Sequence, residues 1–179
     1  MSEHNFVIWM PLLSTLAGAV AAIVGGVATS WYNDRRRDCR ETKQVAAALA
    51  GELRGFKTLF DVYQVESELV RLQAQTDARF VEILETIPLR GSYFQVFDAN
   101  APKIGLLPPG LADSVSVVYV LLRALLVEFP RLEELHKQKM VPEYLAKFYK
   151  HLISLTQEAR QRTEDLIPEL RKYAGLFSG

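Results

Sequence analysis

The sequence predicts an all-α chain, with an amino-terminal transmembrane helix continuing into a long helix and then a cytoplasmic helical bundle. Three observations carry this. An uncharged apolar run fills most of the first thirty-odd residues. Apolar residues further along recur at spacings of three and four, the period of one helix face. No stretch alternates apolar and polar side chains as a half-buried strand would. The division expected is 1–33 for a short external end plus the span, and 34–179 for the cytoplasmic helical domain.

The 179 residues carry 21 basic and 21 acidic side chains, so the charges balance. A general nucleic-acid binder needs a strongly basic face, and that partner class is not expected. One cysteine excludes an internal disulfide framework and a multi-cysteine metal site. No cofactor or metal is expected.

The span comes first. Asn5 to Asn33 contains no charged side chain, and Phe6 to Tyr32 is 27 residues. At about 1.5 Å per residue that helix is roughly 40 Å long, enough to cross a hydrocarbon core of about 30 Å with tilt. Trp9 at one end and Trp31 with Tyr32 at the other suit the two interfaces. Only Glu3, His4 and the α-amino group precede the run, whereas Arg35, Arg36, Arg37, Arg40 and Lys43 follow it. The positive-inside rule then puts the amino end outside and the carboxyl side in the cytoplasm of a single-pass protein. The arginines Arg35, Arg36, Arg37 and Arg40 are also candidates for lipid headgroups. A cleaved signal peptide would need a basic leading region, which is missing.

Within the span Ser14, Gly18, Ala22, Gly26 and Ser30 recur every fourth residue, beside a second stripe of Ala17, Ala21, Gly25 and Thr29. Small faces let helices approach closely in lipid. A lone span has no intramolecular partner there, so a homo-oligomer is expected.

From Arg35 to Ile87 there is no proline, and Leu49, Leu53, Phe56, Phe60 and Tyr63 mark one helix face. Leu69, Leu72, Phe80, Ile83, Leu84 and Ile87 continue it. The pattern predicts one very long helix, or two broken near Gln75 to Asp77. Pro88 ends it. Residues 88–110 hold four prolines and three glycines and read as a loop with short turns. Its Tyr93, Phe94, Phe97, Ile104, Leu106 and Leu107 should seat it on the helices.

Pro109 and Gly110 open a helix to about Phe129, whose near-continuous apolar stretch Val115 to Val127 is too short to span and reads as the central core helix. Arg123 within it should snorkel or pair with a carboxylate. Pro130 should break the chain before a short polar helix over 131–140. Pro142 suits the first turn of a final helix to about Tyr173, with Pro168 bending its end. Cys39 reads as an inert juxtamembrane thiol.

Few residues carry recognisable chemistry. There is no P-loop, no GxGxxG and no GxSxG elbow. Arg131 and His136 form an R-x4-H pair, which resembles the signature of HEPN-type ribonucleases. That likeness implies acid–base work for the histidine and phosphate stabilisation by the arginine, at a site formed across a dimer. The flanking Glu133 and Glu134 would repel a phosphate, so the main expectation is no catalysis, with the tethered ribonuclease as alternative.

The segment YFQVFDANAPKIGLLPPGLADSVSVVYVLL, residues 93–122, resembles a motif in a group of uncharacterised bacterial and prophage proteins with one amino-terminal span and a helical cytoplasmic domain. The resemblance implies the bacterial inner membrane as location and brings no established activity. Read physically, Asp98 and Asn100 can cap turns, Gly105 can supply positive φ, and the leucines can seat the loop. As a partner-binding loop it would present Phe97, Asp98, Asn100 and Lys103 to an unknown protein partner. A second likeness, in small size, amino-terminal anchor, all-α cytoplasmic part and R-x4-H element, is to the membrane accessory protein of type VI-B CRISPR systems. It implies an oligomeric membrane pore aiding antiphage defence. The expected function is therefore a self-associating membrane protein acting by assembly or protein contact, as scaffold, pore or defence accessory.

Overall fold

The structure is a computed structural model that describes residues 3–74, 93–138 and 140–176, with side chains from Gly25 onward except Ala28. It is all-α: among the described residues 92% are helical and none is in a strand. In order these are α1 (Glu3–Val62), α2 (Val65–Ala74), α3 (Gln95–Asn100), a 3-10 turn η1 (Ala101–Leu106), α4 (Pro109–Lys137) and α5 (Pro142–Ala174). Two compact units are present, residues 1–41 and 42–179. Unit 1 is the amino-terminal part of α1, and unit 2 is a helical bundle.

In the bundle, the inner face of α1 buries Val45, Ala46, Leu49, Ala50, Leu53, Phe56 and Phe60. These positions repeat at three and four, as an amphipathic stripe must. α4 contributes Val115, Val118, Tyr119, Leu122, Leu125, Phe129, Leu132 and Leu135, and α5 packs along it through Leu145, Phe148, Leu152, Leu166 and Leu170. α2 packs on α5 with Val65, Leu69 and Leu72. Facing helices approach closely because α5 buries small side chains at Thr156, Ala159 and Thr163. The hydroxyls of Thr156 and Thr163 donate to carbonyls one turn back, at Leu152 and Ala159, so their burial leaves no open donor.

Three boundaries differ from the sequence expectation. The helix following the apolar run does not continue to Gln75. It stops at Val62, and Gln64 adopts a left-handed φ of 45° before α2 begins. Arg160 of α5 holds both sides of this joint, donating to Asp61 at 3.0 Å and lying 3.7 Å from Glu66. Gln75 to Asp77 and Pro88 lie outside the described residues. Pro130 does not break the chain either. α4 runs through it to Lys137, so the separate polar helix over 131–140 does not exist. Proline inside a helix removes one hydrogen bond and costs about 3 kcal/mol, but its fixed φ is helical. Buried Phe129 and Leu132 on either side keep both halves in the core. Finally, the presumed loop contains two short helices, α3 and η1.

The ends foreseen from proline placement are present. Pro109 and Pro142 open α4 and α5 at their first positions, where a missing N–H is harmless. α5 closes on Gly175 at φ 77°. Its N–H reaches the Lys172 carbonyl and the Leu176 N–H reaches that of Arg171, the two bonds of a Schellman cap.

Candidate functional site

Three regions carried functional expectations. The first is the end of the apolar run. Gly26 and Ser30 of the predicted small-residue stripe are exposed, and Ser14, Gly18 and Ala22 share the α1 backbone but their side chains lie outside the described residues. Val27, Trp31 and Tyr32 are 65%, 62% and 50% exposed, an apolar and aromatic surface uncovered among the described residues. One helical turn on, the guanidinium of Arg35 lies 5.3 Å from the Trp31 ring centre and that of Arg36 lies 4.5 Å from the Tyr32 ring. This is i,i+4 geometry and cation–π attraction together. Arg35, Arg36, Arg37 and Arg40 are all exposed, as is Cys39. Ser30 lies 3.5 Å from the Asp34 carboxylate.

The second region is the aromatic segment after Tyr93. Its organising residue is one the sequence reading passed over. Glu52, half-buried on α1, accepts hydrogen bonds from the backbone N–H groups of Val96 (2.8 Å) and Phe97 (3.1 Å) and from the Tyr119 hydroxyl (2.7 Å). The carboxylate thus caps the amino end of α3, where orphan amides and the helix dipole favour negative charge, and ties α1, α3 and α4 at one point. Around it Phe94 stacks on Phe56 at 4.9 Å and Phe97 on Tyr119 at 3.9 Å. Burial, then the Glu52 bond, pushes the Tyr119 hydroxyl pKa well up.

Phe97, Asp98, Asn100 and Lys103, the expected partner loop, sit on this frame. Phe97 is half-buried against Tyr119. Asp98 is exposed and ion-paired with Arg123, whose guanidinium also lies over the Phe94 and Phe97 rings. Arg123 therefore meets the carboxylate expected for it. Asn100 donates to the Val96 carbonyl of its own helix. Lys103 is half-buried in η1. Gly105 is not among the positive-φ glycines.

The third region is the R-x4-H pair. Five residues apart on α4, the two side chains leave the helix about 140° apart and engage different groups. Exposed Arg131 lies 3.6 Å from Glu128 and over the Phe148 ring at 5.7 Å. His136 is half-buried, with Nε2 2.9 Å from the Tyr149 hydroxyl. Burial lowers the His136 pKa and raises that of Tyr149. Among the described residues no group of three or more His, Cys, Asp or Glu is placed to hold a metal ion. An open cavity of about 210 Å³ lies beside the α1–α2 joint and is lined by Phe60, Asp61, Gln64, Thr156 and Arg160.

Among the residues whose side chains are described, one helix, α4, is long and apolar enough to cross a membrane by length and composition; most of the apolar run of α1 lies outside them. Compared with family models, with curated proteins and with solved structures, the chain matches none.

Proposed function

We propose that this chain is a single-pass membrane protein, anchored by the amino-terminal part of α1, that self-associates and acts by assembly and protein contact as a scaffold, pore or defence accessory. The observation that carries the reading is the end of the apolar run. Trp31 and Tyr32 stand exposed, with two arginines folded back over their rings and two more behind. In water an exposed tryptophan and tyrosine beside an uncharged run of 27 residues would be an aggregation hazard. At a bilayer surface the same arrangement is favourable. The rings sit at headgroup level, and each arginine gains about 1 kcal/mol near anionic lipid. The charge asymmetry sets the amino end outside and residues 34–179 inside, in what the sequence likeness suggests is a bacterial inner membrane.

Alkaline carbonate extraction of membranes tests the anchor: the protein should stay in the pellet, and release into the supernatant refutes it. Orientation is read from Cys39, the single cysteine and exposed. A membrane-impermeant maleimide should label it only after the membrane is permeabilised.

A further inference from the structure

The self-association just proposed leaves open how two copies would meet. The charges directly after the apolar run are partitioned by side of the helix. On an α-helix each residue turns about 100° from the last. Asp34, Asp38 and Glu41 consequently fall within one sector about 60° wide, and Arg36 and Arg40 fall on the opposite side of the axis. Both aspartates and both arginines are exposed, and Glu41 is half-buried. Between the acidic sector and Arg40 runs a seam about 100° wide that projects onto Gly26 and Ser30, both exposed, with Arg37 near its middle. A Cβ on Gly26 would meet nothing within 4 Å among the described residues, as at the other described glycines, so the surface there is open. A glycine inside a helix costs about 0.5–1 kcal/mol relative to alanine, and that cost is offset when a second backbone uses the space.

We infer that α1 pairs side by side and in parallel with α1 of a second copy along the Gly26–Ser30 seam, the acidic flank Asp34/Asp38/Glu41 of each helix facing the arginine flank Arg36/Arg40 of the other. A parallel twofold pair satisfies this. Rotation by 180° about an axis along the seam carries the left flank of one helix to the right flank of its partner, so acid meets base on both sides. A pair meeting through the acidic sector, or through the arginine side, would set like charges opposite one another. Parallel alignment at one height follows from a common membrane anchor, so the inference rests on the anchored, self-associating reading. Arg37, on the seam, meets its own copy across the twofold axis, and each guanidinium must turn outward to the partner's acidic flank.

The test uses the full-length protein in its native membrane. With Cys39→Ser as background, Ser30→Cys should form an intermolecular disulfide under mild oxidation. Cys39 of the unaltered chain, about 160° around the helix from the seam, should not. Arg36→Glu with Arg40→Glu in that background should lose most of the crosslinked dimer. Adding Asp34→Arg and Asp38→Arg, which exchanges the two flanks and keeps the net charge, should restore it. Equal crosslinking at positions 30 and 39, or crosslinking at Ser30→Cys that ignores both charge exchanges, overturns the seam while leaving self-association intact. A particle mass of one chain for the extracted wild-type protein overturns self-association itself. If the arginine variant instead loses membrane association with no change in crosslinked fraction among the chains that remain, the arginines serve lipid and the pairing is refuted.

Discussion

Glu52 offers a quantitative test of how the bundle is held. Its carboxylate accepts two backbone N–H bonds from α3 and one hydroxyl bond from Tyr119, at 2.7–3.1 Å. Hydrogen bonds to a charged group contribute roughly 1.5–3 kcal/mol each, and neighbours sharing one acceptor are not additive. Removing the acceptor also strands the hydroxyl of Tyr119, a side chain only 1% exposed. Glu52→Ala should therefore destabilise unit 2 by about 3 kcal/mol. At roughly 2–4 °C per kcal/mol for a domain near this size, the midpoint should fall by about 6–12 °C. Tyr119→Phe alone should cost about 1 kcal/mol, since Glu52 keeps its two amide donors. The double variant should be no more unstable than Glu52→Ala alone, because the Tyr119 hydroxyl has already lost its acceptor and its removal leaves no stranded donor. Thermal and urea unfolding followed by far-UV circular dichroism, in detergent, gives these values. A Glu52→Ala cost below about 0.5 kcal/mol, the range of an ordinary surface substitution, would refute the tie.

Other outcomes follow from the same contacts. Arg123→Ala should cost more than Asp98→Ala, since the exposed pair is worth under about 1 kcal/mol whereas Arg123 also covers the Phe94 and Phe97 rings; paired urea unfolding decides the order. His136 is held below its ordinary pKa by burial. The fold thus favours its neutral form, and the stability this brings is present above about pH 6.5 and lost as pH falls through the lower folded value. Unfolding midpoints should drop from pH 7 to pH 5, and His136→Gln should flatten that slope. Tyr119 is shifted the opposite way, so its contribution holds below about pH 10 and is lost as pH rises beyond it, a loss that Tyr119→Phe abolishes. If purified protein cleaves RNA and His136→Ala does not, the ribonuclease alternative replaces assembly.

Much of this architecture is readable from residue order, for physical reasons that differ from element to element. The face Leu49, Leu53, Phe56 and Phe60 is legible because burial imposes helical spacing on apolar residues. Pro109 and Pro142 announce helix starts because the first turn has N–H groups to spare. Pro130 misleads because local propensity, worth about 3 kcal/mol against, is outweighed by packing of Phe129 and Leu132, partners far away in sequence. The stop at Val62 has no glycine or proline to mark it. Gln64 takes the left-handed turn, and what fixes the joint is Arg160, about a hundred residues later, bridging Asp61 and Glu66. Glu52 hides for the same reason, as one acid among several on α1, with three donors 44 to 67 residues away.

Length and composition alone do not separate a spanning helix from a core helix, and α4 makes the point. It runs 29 residues, and its most apolar 18-residue window has mean hydropathy 1.8. Yet it carries Arg123 at its centre, ion-paired with Asp98, and Tyr119 bonded to Glu52, and it buries eight side chains in the bundle. Moved into lipid, those polar groups would lose their partners where each unsatisfied group costs several kcal/mol. The run of α1 between Asn5 and Asn33 carries no charged side chain. Val120 and Val127, 66% and 68% exposed on the outer side of α4, discriminate the two environments. On a solvated bundle Val120→Asp should change stability by no more than about 0.5 kcal/mol. In a spanning helix an aspartate near mid-membrane costs about 2.5–3.5 kcal/mol of insertion. Val120→Asp should therefore leave membrane association and expression unchanged, while an aspartate at Val20, in the α1 run, should lower the membrane-bound fraction sharply. The reverse pattern would make α4 the anchor and α1 the soluble helix.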